Sequence, residues 1–206
     1  LKPRALLVMH LRNTAKKIEI ALRTRRMPRG DIDKPYLLGQ YMTPKLVAEE
    51  FFRHLSRPAK TWRVLDPACG DGNLLIVTAR RLLAEGLSPK TVASRLCGID
   101  IDPQMAESCR DRLANELHVN PAKLRIYVGD YLQSQQTLFA ENDSEWSDFG
   151  ANIVLSNPPY GQGREYEFFE VACHRHTEGT ELVFLVPLAF MDRLEGGHIE
   201  PLRGRP

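Results

Sequence analysis

Ser156-Asn157-Pro158-Pro159-Tyr160-Gly161 is the segment of the 206-residue sequence whose residue types and order point most directly to chemistry. Two adjacent prolines fix φ and make a loop rigid. The Asn157 side-chain oxygen and the Pro158 carbonyl can then face the two N–H bonds of a planar amino group. Such a nitrogen is a poor nucleophile, because its lone pair is delocalised into the adjoining π system. Preorganised acceptors on its hydrogens localise that pair where a new bond must form. In this reading Asn157 and Pro158 are the acceptors, Pro159 stiffens the loop, and Tyr160 offers a ring on which a flat group stacks. Proline-rich loops also serve simply as rigid turns, so the segment gains meaning only from what surrounds it.

Upstream, Asp66-Pro67-Ala68-Cys69-Gly70-Asp71-Gly72-Asn73 has two glycines that let the backbone turn sharply and approach a ligand. Leu75 stands where a dinucleotide fingerprint has its third glycine, which argues against a pyrophosphate ligand. A helix starting after Gly72 suits a carboxylate at its N-terminus, and Asp66 suits an ammonium. In Gly98-Ile99-Asp100-Ile101-Asp102-Pro103, Asp100 can accept hydrogen bonds from both hydroxyls of a ribose. Asp102 reads as the N-cap of the next helix, because Pro103 follows it. Gly129-Asp130-Tyr131 places a carboxylate and an aromatic ring where a purine amino group and ring face would lie, although Asp130 serves equally well as a turn residue.

These segments need a scaffold that gathers them. From Arg63 onward short apolar strands alternate with helical patterns, the signature of a parallel sheet with crossover helices. Strands are expected at Arg63–Asp66, Leu96–Ile101, Leu124–Val128, Ala151–Ser156 and Glu181–Val186. Helices are expected over Leu74–Leu83 and after Ser88-Pro89 and Asp102-Pro103, and a further helix carries Tyr166, Phe168 and Phe169 towards the core. In an open parallel sheet ligands sit beyond the carboxyl ends of the strands, where each of these segments begins. Before Arg63, Leu7, Leu11, Ala15, Ile18 and Leu22 recur at helical spacing and predict an amphipathic helix that ends at Pro28 and Gly30. A second helix is expected to start at Thr43-Pro44, with Val47, Phe51, His54 and Leu55 inward.

Taken together, the segments resemble the N6-adenine DNA methyltransferases of restriction–modification systems. Gly39-Gln40-Tyr41-Met42-Thr43-Pro44 looks like the cofactor motif that one subgroup carries before the glycine loop. The loop at Asp66, Gly-Ile-Asp-Ile-Asp-Pro, Gly-Asp-Tyr and Asn-Pro-Pro-Tyr follow in the family order, and Leu182–Pro187 resembles its next core strand. The resemblance implies a Rossmann-like α/β fold with a doubly wound, mostly parallel sheet, and S-adenosylmethionine as cofactor. Tyr41, Thr43, Asp66, Ala68, Gly70, Gly72, Asp100, Asp130 and Tyr131 would line the cofactor site, while Asn157, Pro158, Pro159 and Tyr160 would hold the adenine. It implies double-stranded DNA as substrate, with a target-recognition domain or specificity subunit and a restriction nuclease as partners. The family continues beyond Pro187 with two further strands, so the expected organisation is an N-terminal helical extension (1–35), a catalytic domain truncated at its C-terminal end (36–190) and an irregular tail (191–206).

Bulk properties fit this reading. With 43% apolar and 26% charged residues the chain has the composition of a globular domain. No apolar run nears the roughly 20 residues that span a bilayer, so no membrane partner is expected. Cys69, Cys97, Cys109 and Cys173 form no disulfide framework, which points to free thiols in a reducing, cytoplasmic setting. Cys173, His174 and His176 lack the four ligands of a structural zinc site, and no metal is expected. Residues 1–34 hold ten bases against three acids within a net charge of +2; this segment either tracks phosphates or forms the solvated face of a helix. Alternative substrates for the same loop are RNA, the N4 of cytosine or a protein glutamine amide. A catalytically silent DNA-binding or assembly subunit is the alternative from another class.

Overall fold

The computed structural model describes residues 4–10, 18–19, 51–132, 146–161, 163–187 and 190. Its centre is a seven-stranded sheet: β1 (Arg4–His10), β2 (Ile18–Glu19), β3 (Val64–Asp66), β4 (Leu96–Asp100), β5 (Arg125–Val128), β6 (Ile153–Ser156) and β7 (Glu181–Pro187), in the order β2-β1-β7-β6-β3-β4-β5. Strands β3 to β7 are mutually parallel where they pair. Their expected positions agree with the sequence to within one or two residues. β3, β4 and β6 are buried along their whole length, which is why they read as continuous apolar runs rather than alternating ones. β5, at the sheet edge, is only partly covered.

The helices α1 (Asn73–Ala84), α2 (Pro89–Ser94), α3 (Pro103–Leu117) and α4 (Arg164–Arg175) divide between the two faces. Leu74, Leu75, Val92, Cys109 and Leu113 pack with Val64, Leu96, Ile126, Ile153 and Leu185 on one face. Phe168 and Phe169 of α4 pack with Leu65, Ile99, Val154 and Phe184 on the other. The sheet is therefore doubly wound. Helix starts follow their caps: the Ser88 side chain accepts from the Thr91 amide, the Asp102 carboxylate accepts from the Gln104 amide at 2.9 Å, and a proline fills the first turn of each helix. α3 stops at His118, whose φ of 52° is left-handed.

The N-terminal segment departs from expectation. Arg4–His10 is a strand, paired antiparallel with β7 through seven successive residues from Arg4↔Pro187 to His10↔Glu181, and Ile18–Glu19 pairs with it in turn. The helical extension expected over 1–35 is therefore corrected for these residues. Leu6-Leu7-Val8-Met9 is a short apolar run that suits either state, and the open edge of β7 decides for strand. β1 and β2 extend the sheet beyond β7. The helix expected at Thr43-Pro44 lies outside the described residues except at its end, where Phe51 is fully buried and His54 and Leu55 are half-buried.

Candidate functional site

The carboxyl ends of β3, β4, β5 and β6 lie at one end of the sheet. The strand order reverses direction between β3 and β6, which opens a crevice there. The glycine loop leaves β3 on one side of that crevice and Asn157-Pro158-Pro159-Tyr160 leaves β6 on the other.

Backbone hydrogen bonds hold the glycine loop against the tip of β4. The Cys69 amide donates to the Ile99 carbonyl at 2.9 Å, and the Gly70 amide donates to Asp100 Oδ2 at 2.8 Å. Gly70 and Gly72 have φ of 53° and 89°, a region that side chains disfavour. A Cβ on Gly72 would also come within 2.7 Å of Cys109 Sγ. Gly98, below the loop, is equally confined, since a Cβ there would lie 2.8 Å from Leu75 Cδ1 and 3.0 Å from Cys69 Sγ. Gly72 is the N-cap of α1 and supplies no side chain to its first-turn amides.

Asp100 Oδ1 accepts from the Asp102 amide at 2.9 Å, so each carboxylate oxygen is fixed by one backbone donor and keeps further acceptor capacity. Burial raises the pKa of Asp100, with the amides of Asp102 and Gly70 opposing. Asp66 is 1% exposed and accepts from the Ala68 amide at 3.2 Å. Burial pushes its carboxyl from 3.8 to about 8; the Ala68 bond opposes the rise and the Asp100 charge adds to it. Ala68 is half-buried in the same turn. Asp130 Oδ1 accepts from the Leu132 amide at 2.9 Å, which is the turn role foreseen as its alternative.

Tyr131 differs from the expectation. Its ring is 1% exposed, stacked on Phe168 at 5.8 Å between centroids and covered by the Arg175 guanidinium at 4.9 Å. It therefore has no free face for a purine, and it belongs to the core between β5 and α4. Its hydroxyl lies 3.3 Å from His176 Nε2. Burial, then the neighbouring Arg175, depress that imidazole to about 4, so it is neutral at physiological pH. Phe168 and Phe169 are core residues, as expected. Tyr41 and Thr43 lie outside the described residues.

On the other side of the crevice Pro158 is buried, while Asn157, Pro159 and Tyr160 are half-buried. The Tyr160 hydroxyl donates to Asn157 Oδ1 and also lies 3.1 Å from the Leu185 carbonyl of β7. The motif is thus cross-braced: the hydroxyl of its last residue orients the Asn157 side chain, close beside the backbone of the neighbouring strand. Gly161, with φ of 108°, ends the loop, and its amide donates to Glu165 Oε2 at 3.3 Å in the first turn of α4. Sequence reasoning passed over Ile101 and Val128. They are 49% and 51% exposed, and they flank Asp100 and Gly129 at adjacent strand tips. Their place directly beside an acidic strand tip was the available signal. They leave apolar surface next to Asp100 at the carboxyl ends of β4 and β5.

Residues 34–181, well over half of the chain, match the family model described as N-6 DNA Methylase. The chain belongs to the N-6 DNA methylase family. A type II methyltransferase of Vibrio sp. (strain 343), M.VspI, is 30% identical over 124 residues, which cover 60% of this chain and 26% of that protein. The type II restriction enzyme and methyltransferase RM.BcgI of Heyndrickxia coagulans is 26% identical over 166 residues, 75% of this chain and 24% of that protein. The chain spans about a quarter of the length of these curated relatives. Among solved structures, a Listeria monocytogenes protein assigned to the class I S-adenosylmethionine-dependent methyltransferases superposes with a TM-score of 0.56 at 19% identity, covering 82% of this chain and 53% of that one. The fold is that of the Rossmann-like methyltransferases.

The N-6 DNA methylase family uses S-adenosylmethionine, and this chain's residues fit that ligand. Positive-φ glycines bring the backbone close, and the first turn of α1 has no side-chain cap to displace. Asp100 is held with acceptor capacity to spare, and Ile101 and Val128 offer apolar surface. Among the described residues no helix is long and apolar enough to cross a membrane. Among the described residues, Cys69, Cys97, Cys109 and Cys173 form no disulfide. His174 Nδ1 lies 2.8 Å from the Glu170 carbonyl of its own helix.

Proposed function

We propose that this chain is the cofactor-binding and methyl-transfer unit of an enzyme that methylates the N6 amino group of adenine in DNA, within a restriction–modification system. The observation that carries this reading is the cross-braced Asn157-Pro158-Pro159-Tyr160 loop facing the glycine loop across the switch point of the sheet. The family description supports DNA as substrate, and the name of RM.BcgI supports a restriction enzyme as partner.

When bound, S-adenosylmethionine supplies an electrophilic methyl group. Asp100 would hold the ribose, the buried Asp66 carboxyl would accept a hydrogen bond from the amino-acid end beneath the loop, and Ile101 and Val128 would flank the adenine ring of the cofactor together with Asp130. The family resemblance would add Tyr41 and Thr43 to this site. Asn157 Oδ1 and the Pro158 carbonyl accept the two N–H bonds of the target amine and draw its lone pair out of the ring, so that no general base is needed before attack. The ring of Tyr160 stacks on a base extruded from the duplex. The test is incubation of that whole enzyme with methyl-labelled S-adenosylmethionine and duplex DNA, followed by digestion to nucleosides. Label in N6-methyladenine is the expected result. Label in N4-methylcytosine, or in RNA alone when both nucleic acids are offered, would replace the substrate and keep the fold.

A further inference from the structure

We propose that Arg112, on α3, is a positioning residue for the amino-acid end of the cofactor. It braces the turn Asp71-Gly72-Asn73 and cancels a carboxylate charge that would otherwise face the anionic end of the ligand. The inference rests on the reading that the glycine loop receives S-adenosylmethionine, and it adds a residue far along the chain to that site.

Three contacts define the brace. One guanidinium nitrogen of Arg112 donates to the Asp71 carbonyl at 2.8 Å and to the Asp71 carboxylate, while the other donates to Asn73 Oδ1 at 2.8 Å. Both sides of Gly72 are thereby tied to one planar cation. One turn earlier on the same face of α3, Cys109 fills the space beside Gly72 so closely that a Cβ there would come within 2.7 Å of its sulfur. α3 thus supports the turn from below through Cys109 and from the side through Arg112.

The charge argument gives the brace a purpose. The first turn of α1 attracts a carboxylate through its open amides, and Gly72 leaves those amides uncapped. Asp71 immediately precedes that turn, and its side chain is only 14% exposed, so solvent screens it poorly. Left alone, it would repel the ligand carboxylate. Arg112 draws the Asp71 side chain to itself and offsets its charge. A lysine in its place would keep the charge but not the forked geometry that spans Asp71 and Asn73. The Arg112 side chain is 40% exposed, so its removal costs little packing.

Calorimetric titration of the chain with two ligands separates this role from a merely structural one. S-adenosylhomocysteine carries the amino-acid end, and adenosine lacks it. Binding of S-adenosylhomocysteine by the unaltered chain tests the underlying reading, and failure to bind it overturns reading and proposal together. Given that binding, Arg112→Met is expected to weaken S-adenosylhomocysteine about tenfold, the scale of one charged hydrogen bond, and to leave adenosine unchanged. Adding Asp71→Asn to Arg112→Met should restore most of the loss, because the uncompensated charge is gone. Should Arg112→Met fail to fold, Arg112→Lys tests the same split with a smaller loss. Equal weakening of both ligands, undiminished binding of S-adenosylhomocysteine, or no rescue by Asp71→Asn would each overturn the proposal.

Discussion

Asn157 Oδ1 meets two demands in the proposed reaction: it accepts the Tyr160 hydroxyl, and it must accept an amino hydrogen of the target base. A carbonyl oxygen has two lone pairs, so both fit, and the first bond aims the second. Asn157→Ala is therefore expected to lower the methyl-transfer rate about 10²–10³-fold, comparable to loss of one preorganised hydrogen-bond partner of a reacting group. Affinity for S-adenosylhomocysteine should stay within a factor of two or so of its original value, and equal losses in rate and cofactor affinity would contradict the division of roles. Tyr160→Phe keeps the stacking ring and removes only the brace, so a loss of about 3–10-fold is expected in single-turnover rate. Asp66 sets a different test. Its folded pKa of about 8 stands above the ordinary 3.8, so its contribution to stability is fully present below pH 4 and is lost as pH rises towards 8. Asp66→Asn should remove that loss and make the ligand-free protein more stable at pH 8, by on the order of a few kcal/mol, with little change at pH 4. Urea titrations at the two pH values would measure it, and a variant less stable at pH 8 would show that the Asp66 carboxylate is ionised and well paired.

Strand tips, not whole strands, were what the sequence displayed most clearly at the level of elements. Each tip is announced by a residue that chemistry needs and that a buried strand would not otherwise carry: Asp66, Asp100, Asn157. The proline-led helix starts at Pro89 and Pro103 were equally legible, because capping is decided within four residues. What the sequence did not display depends on partners distant in the chain. Nothing near Tyr131 announces that Phe168 and Arg175 will cover its ring, and nothing near Asp71 announces Arg112. The packing of α1 and α3 against the glycine loop belongs to the same class. Gly98→Ala should be strongly destabilising although it adds one methyl group, because that methyl would lie 2.8 Å from Leu75 Cδ1 with the Cys69 sulfur also in contact. A loss of about 1–3 kcal/mol is expected, read as a lower denaturation midpoint in urea. Leu75→Ala carries its own cavity cost of about 2–5 kcal/mol, so the double variant should lose less than the sum of the two single losses, and additive losses would show that the two side chains do not compete.

The whole molecule raises the question of what closes the sheet beyond β7. Leu182, Val183, Phe184, Leu185 and Val186 are at most 4% exposed, and a strand so apolar on both faces would be an aggregation site if its edge lay open. β1 covers that edge through seven residue pairs. The helical reading of the N-terminal residues and the strand reading consequently differ in what removal of that segment should do. A helix lying on the surface could be cut away with modest effect, since few core contacts would leave with it. Deleting residues 1–19 from a sheet that uses them as its edge strands would strip the ladder from β7, at a net of about 0.5–1.5 kcal/mol for each hydrogen bond lost. Even about 3 kcal/mol in total would lower Tm by roughly 6–12 °C in a chain of this size. The truncated protein should also associate at concentrations where the full chain does not, because β7 would offer its unpaired edge to a second copy. Thermal unfolding and light scattering on the two chains decide the matter. An unchanged Tm with no association would return the N-terminal segment to the role of a peripheral extension.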